Sequence, residues 1–99
     1  MSLIIGQRFL GAQNITTHAD VAITGGAAAA KLLDINTARA SVFIYNLGSS
    51  TARVGDASTA TARGIPIAAG TGFTLETTAA VYAYADVSTT LSISEAVRP

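Results

Sequence analysis

The chain has 99 residues, with six basic and six acidic side chains and no cysteine. This length suits a single domain, and the lack of cysteine excludes disulfides and thiol catalysis. The basic residues are spread singly along the chain, whereas binding a phosphate backbone requires a cluster of them on one face. We therefore expect no nucleic acid among its partners.

The apolar content is high, but alanine supplies much of it. Apolar residues make up 49% of the chain, and 20 of them are alanine. Such small side chains bury little surface, so we expect a thin core that gains stability from neighbouring subunits. Only 12% of residues are charged, about half the usual share, which suits a surface in permanent protein contact. Both features favour a homo-oligomer, and an ordinary soluble surface of low charge is the alternative.

Residues 1–30 differ from the rest of the chain because their apolar residues are irregularly spaced. The first apolar run is only three residues long and no basic residue precedes it, so we expect neither a secretory signal nor a membrane span. The pattern predicts an extended arm with one or two weak strands. The arm can add a strand to a neighbour's sheet or begin the sheet of its own domain. Its predicted partner contacts are Leu3, Ile4, Ile5, Phe9 and Leu10.

Residues 31–99 predict one β-domain. Short alternating segments recur about every ten residues, separated by Gly, Asn, Asp and Ser. Seven to eight such strands indicate an all-β fold, either an antiparallel β-sandwich or a jelly-roll-like barrel. Residues 31–35 predict one of these strands, with a single helical turn as the competitor. Pro66 lacks a backbone donor and is expected at a sheet edge or a strand start.

The most apolar segment is residues 42–45. Val42 and Ile44 point to one side of a strand and Phe43 and Tyr45 to the other, which predicts a central strand covered on both faces. After the turn at Gly48, residues 51–54 alternate again. We expect them to form a hairpin with the preceding strand.

Few residues of the chain suit catalysis or metal binding. His18 and Asp20 could form a proton-transfer or metal pair, but the chain has no second histidine to complete a site, and an exposed arm histidine is favoured. Asp56 and Asp86 fall in turns, where they could bind Ca²⁺ or cap the turn. No serine lies in a G-x-S-x-G motif. We therefore expect no enzyme, no cofactor and no bound metal.

Tyr82 and Tyr84 are two residues apart in a predicted strand and therefore share a face. They could form a carbohydrate platform or an intersubunit patch, or pack within the core.

The order of short motifs from residue 31 to residue 95 is more specific. The motifs are Leu32-Leu33, Ala38-Arg39, an apolar strand ending at Asn46, Gly48-Ser49, Val54-Gly55, residues 61–70 with Gly64-Ile65-Pro66-Ile67, Thr74-Leu75 and Val81-Tyr82-Ala83. In this order they resemble a small β-domain of tailed-bacteriophage virion proteins, over about two thirds of the chain.

This resemblance implies a non-enzymatic virion component. The expected protein is a capsid decoration, or cement, protein that is assembled in the host cytoplasm and lies on the capsid surface. It would bind the major capsid protein and itself, as a homo-oligomer for which a trimer is favoured, without contacting a membrane. Extensions at both ends favour this role over a module of a long fibre. The alternatives are a tail or fibre module and a glycan-binding β-sandwich module.

Overall fold

The computed structural model describes residues 14–98. The predicted arm contacts Leu3, Ile4, Ile5, Phe9 and Leu10 lie outside the described residues. Within them the fold is all-β, as predicted, with nine strands and no helix. The strands are β1 (Asn14–Thr17), β2 (Val21–Ile23), β3 (Ala30–Leu33), β4 (Arg39–Asn46), β5 (Ala52–Gly55), β6 (Ile65–Ile67), β7 (Gly72–Leu75), β8 (Val81–Ala85) and β9 (Thr89–Val97).

The strands form two antiparallel sheets. Sheet one has the order β1-β9-β4-β7, and β2 also pairs with β9. Sheet two has the order β3-β8-β5-β6. The sheets pack as an open sandwich, so the prediction of a sandwich is confirmed. The predicted alternative, a closed barrel, does not form.

The core lies between the inward faces of the two sheets. Val42, Ile44, Leu91 and Ile93 of sheet one are at most 1% exposed. Sheet two contributes smaller inward side chains on β5 and β8 and one larger side chain from each of β3 and β6, which are Ala52, Val54, Val81, Ala83, Ala85, Leu33 and Ile67. Each buried Val, Leu or Ile contributes about 1.5–3 kcal/mol, and alanine contributes less. Only Ala52, Ala83 and Ala85 among the alanines belong to this core, which consists mainly of Val, Ile and Leu.

The predicted hairpin between β4 and the following strand does not form. β4 pairs with β7 and β9 in sheet one, whereas β5 pairs with β6 and β8 in sheet two. Residues 47–51 therefore cross from one layer to the other. Alternation and a glycine turn are common to hairpins and to such crossovers, so the local pattern could not distinguish the two.

β4 is central within its sheet but is covered on one face only. Val42 and Ile44 point into the core, whereas Phe43 is 45% exposed and Tyr45 is half-buried on the outer side. The prediction of burial on both faces is therefore wrong for the single chain.

The earlier part of the chain contributes strands of its own. Residues 14–17 and 21–23 form β1 and β2, which pair with successive parts of β9. Residues 30–33 form β3 at an edge of sheet two, so a strand is found there instead of the helical turn. Pro66 lies in the edge strand β6, as expected.

Candidate functional site

A buried ion pair lies at one end of the sandwich. Arg39 at the start of β4 is 1% exposed, and its Nε donates to Glu95 Oε1 of β9 at 2.9 Å. The strand register shifts between Arg39 and Ser41, and this bulge turns Arg39 towards the core. The guanidinium also donates to three backbone carbonyls, those of Thr77, Ala79 and Asp34. It thereby ties β4 and β9 to the loop after β3 and to the loop between β7 and β8.

Glu95 is held by three side chains. Its Oε1 accepts from Arg39 and, at 3.2 Å, from Asn36 Nδ2, and its Oε2 lies 2.6 Å from His18 Nε2. Burial acts to raise the pKa of Glu95, but the hydrogen bonds from Arg39, His18 and Asn36 outweigh it, so the pKa lies below its ordinary value of 4.5. The carboxylate is thus charged and fully engaged at neutral pH. This arrangement suits a structural tie and not proton transfer.

His18 does not pair with Asp20. The histidine lies between β1 and β2, where its backbone N–H donates to Ile93 O at 3.1 Å and its ring contacts Glu95. Within residues 14–98 no three His, Cys, Asp or Glu side chains come together in a way that could hold a metal ion. An open depression beside the ion pair is lined by His18, Leu32, Leu33, Asp34, Ile35, Asn36, Arg39 and Glu95. Within it His18 and Arg39 are paired with Glu95, and Asp34 is paired with the neighbouring Lys31.

A second buried polar group stands at the opposite end of β4. Asn46 is 0% exposed, and its Nδ2 donates to Ser50 O at 2.7 Å and to Ile67 O of sheet two at 2.9 Å. Its Oδ1 accepts from Thr89 Oγ1 and from the Gly48 amide. All hydrogen-bonding positions that a buried amide must fill are therefore used. Asn46 holds the crossover in place and links the two layers.

The outer face of sheet one bears no charged side chain among the strand residues described. It consists of Ile15, Thr17, Ala22, Ser41, Phe43, Tyr45, Gly72, Thr74, Thr90, Ser92, Ser94 and Ala96, and we call it the uncharged face. Phe43 and Tyr45 lie with ring centroids 6.4 Å apart at 35°, and the Tyr45 hydroxyl donates to Gly70 O. A Cβ at Gly72 would overlap the Phe43 ring, so the glycine lets this ring lie over β7. Most side chains of this face are small, and two aromatic rings lie near its middle.

Tyr82 and Tyr84 lie on the outer face of sheet two and are both half-buried. Core packing is therefore not their role, since the inward residues of β8 are Val81, Ala83 and Ala85. In register, Tyr84 faces Arg53 of β5 and Tyr82 faces Gly55. The Tyr84 hydroxyl donates to Asp86 Oδ1 at 3.0 Å. The structure thus joins Tyr84, but not Tyr82, to a charged group in the following turn.

Asp56 caps its own turn. Its Oδ1 accepts from the Ser58 amide at 2.9 Å, and its backbone carbonyl accepts from Thr59. The sequence predicted either calcium binding or turn capping for Asp56, and these hydrogen bonds are those of a turn cap.

The ion pair and Asn46 were not predicted as functional or structural sites. Glu95 continues the inward alternation of Leu91 and Ile93, and a carboxylate at an inward position requires a buried partner. That signal was available in the sequence. The identity of Arg39 as the partner of Glu95 could not be predicted from the sequence, because only the bulge before Ser41 directs Arg39 inward.

No family model, no curated protein and no solved structure matches this chain. Residues 14–98 include no helix with the length and apolar character needed to cross a membrane.

Proposed function

We propose that the chain is a structural virion protein, a capsid decoration protein that binds the major capsid protein and stabilises the head as a homo-trimer. The observation that carries this proposal is the uncharged face. A partner can cover it without removing a charged group from water, which is the costly step in burying a protein surface. The resemblance of the motif order to phage virion proteins is the reason for proposing a capsid protein as the partner.

The two-sided apolar pattern of β4 supports the same role. Phe43 and Tyr45 occupy outward positions of the central strand of sheet one, and 45% of Phe43 is exposed. Aromatic side chains at the centre of an interface commonly dominate its binding free energy. We therefore assign the capsid contact to the uncharged face and its anchor to Phe43.

A pair of charge-introducing variants tests this assignment. Phe43→Glu places a carboxylate in the uncharged face, and Tyr82→Glu places one on the outer face of sheet two. Binding to heads purified from the encoding virus is measured by co-sedimentation. We expect Phe43→Glu to weaken binding by about 30-fold or more, the effect of losing an anchor worth about 2 kcal/mol, and Tyr82→Glu to bind as the parent does. The reverse result would assign the contact to the tyrosine pair.

The homo-trimer is tested separately by sedimentation equilibrium. Three chains of 10.0 kDa each give about 30 kDa. A mass that stays near 10 kDa at all concentrations would contradict self-association.

The alternative of a tail or fibre module is distinguished by position. Gold-labelled protein in purified virions is expected over the head surface. Label confined to the tail would favour the tail or fibre module. Absence of the chain from purified virions, measured by mass spectrometry, would overturn both assignments.

A further inference from the structure

A small depression lies on the outer face of sheet two, opposite the uncharged face. It is lined by Thr51, Arg53, Thr61, Tyr84, Ala85 and Asp86 and encloses about 230 Å³. Pockets for drug-sized ligands are larger, about 300–1,000 Å³. The depression therefore has room for one small ring.

The positive side of the depression is Arg53. Its Nη1 donates to Gly64 O at 3.0 Å, which orients the guanidinium. Gly64 has φ +115°, and a Cβ there would lie 3.0 Å from Val54 O and 3.3 Å from Arg53 Cβ, so only glycine fits. The other N–H groups of Arg53 have no hydrogen-bond partner among residues 14–98. They are available to donate to a ligand.

The negative side is Asp86. The Thr61 hydroxyl and then the Tyr84 hydroxyl hold the pKa of Asp86 below its ordinary value of 3.8, so it is an acceptor at neutral pH. Asp86 and Arg53 do not form an ion pair with each other. A guanidinium donor and a carboxylate acceptor thus flank the depression, and no direct ion pair joins them.

The charge balance selects the class of ligand. A phosphate or carboxylate would be repelled by Asp86, and an ammonium group would be repelled by Arg53. Either kind of ion is therefore disfavoured by one side of the depression. Neighbouring hydroxyls of a sugar both donate and accept, which suits both walls, and the Tyr84 ring supplies an aromatic surface beside them. We propose that the depression formed by Thr51, Arg53, Thr61, Tyr84 and Asp86 binds one neutral sugar ring.

This site is independent of the capsid contact, because it lies on the other sheet. A subunit attached through the uncharged face would present the sugar site to the outside. The chain would then both cover a head and hold it to a glycan surface. The site is centred on Tyr84, since Tyr82 faces Gly55 and Lys31 instead.

The test is a nuclear magnetic resonance titration of the ¹⁵N-labelled full chain. The probes are the methyl glycosides of glucose, galactose, mannose and N-acetylglucosamine, each up to about 50 mM, with sodium phosphate as the ionic probe. We expect at least one glycoside to shift the amides of residues 51–53, 61 and 84–86. No shift with any glycoside, or a larger shift of the same amides with phosphate, would overturn the proposal.

Three variants test the residues. Asp86→Asn preserves size and removes the charge, and Arg53→Gln shortens the side chain and removes the guanidinium. Each should raise the dissociation constant at least tenfold, while Tyr82→Phe should change it by less than threefold. Resolved amide spectra show that each variant is folded, so a loss of binding cannot come from unfolding. If Asp86→Asn and Arg53→Gln bind as the parent does, the site is wrongly assigned, whether or not the capsid proposal holds.

Discussion

At the residue scale, two buried polar side chains mark the ends of β4. Arg39 and Asn46 are each at most 1% exposed, and each donates to backbone carbonyls outside its own sheet. Burying such groups is unfavourable unless every hydrogen bond is made. They therefore specify one arrangement of the two sheets, since sliding a layer would leave them without partners.

Removing the charge of Glu95 should be strongly destabilising. Glu95→Gln leaves the Arg39 guanidinium buried without a countercharge, and breaking a buried pair in this way costs about 3–5 kcal/mol. We expect the free energy of unfolding in urea to fall by about 3 kcal/mol. Asp34→Asn removes the exposed pair with Lys31 at 2.9 Å and should have no measurable effect. Equal effects of the two variants would show that the buried pair is not special.

The same carboxylate makes stability depend on acid pH. Because the pKa of folded Glu95 lies below 4.5, the unfolded chain binds more protons in this range, and the free energy of unfolding falls as the pH is lowered from about 4.5. Above that value the contribution is fully present. Urea unfolding between pH 6 and pH 3 should show this loss, and Glu95→Gln should flatten the profile.

Asp86 provides the comparison for the pH profile. Its pKa is also lowered, so it acts in the same direction, but its partners lie at the surface. Asp86→Asn should therefore flatten the profile less than Glu95→Gln does. A profile that is unchanged in Glu95→Gln would contradict the assignment to the buried carboxylate.

At the element scale, turns and bulges decide how strands that look alike locally are paired. The alternation of β4 and β5 is that of a hairpin, yet Asn46 and the 47–51 crossover place them in different sheets. The bulge before Ser41 places the Arg39 side chain on the inward face of sheet one. The turn after β2 packs on the turn after β8, where the Gly26 amide donates to Ala85 O at 2.8 Å.

Two neighbouring glycines in that turn should respond differently to alanine. A Cβ at Gly25 would lie 2.7 Å from Ser88 N and 2.8 Å from Val87 Cα, and both are backbone atoms that cannot rotate away. Overpacking of this kind costs about 1–3 kcal/mol, and we expect a value near 3. At Gly26 a Cβ meets nothing within 4 Å, but φ is +77°, so alanine should cost about 1 kcal/mol. Urea unfolding of both variants checks the order, and a larger loss for Gly26→Ala would contradict the packing of the two turns.

At the scale of the whole molecule, the sandwich has two different outer faces. The uncharged face of sheet one suits permanent contact with protein, and sheet two carries the tyrosines and the Arg53–Asp86 depression. The segment before residue 25 belongs partly to sheet one, because β1 and β2 complete it beside β9 and Ile23 is 3% exposed.

Two truncations should therefore differ in outcome. Removing residues 1–24 deletes β1, β2 and the His18 contact with Glu95, and we expect a loss of about 4 kcal/mol or more, from one buried isoleucine and one charged hydrogen bond. Removing residues 1–13 leaves every described strand and should keep the fold. It should weaken binding to heads, because the predicted contacts Leu3, Ile4, Ile5, Phe9 and Leu10 are lost while the uncharged face remains. Circular dichroism and urea unfolding measure the first effect, and head co-sedimentation measures the second. Unchanged head binding without residues 1–13 would contradict the predicted arm contacts.

The sequence by itself determined the all-β class and the position of Pro66 at a sheet edge or a strand start. These depend on side-chain alternation and on the missing proline donor, which are local properties. Only the tertiary structure decided that β4 and β5 lie in different sheets, that Arg39 meets Glu95, and that Phe43 faces outward while Tyr84 meets Asp86. Each of these depends on which distant strands pair and in what register, and short-range alternation is the same for all pairings.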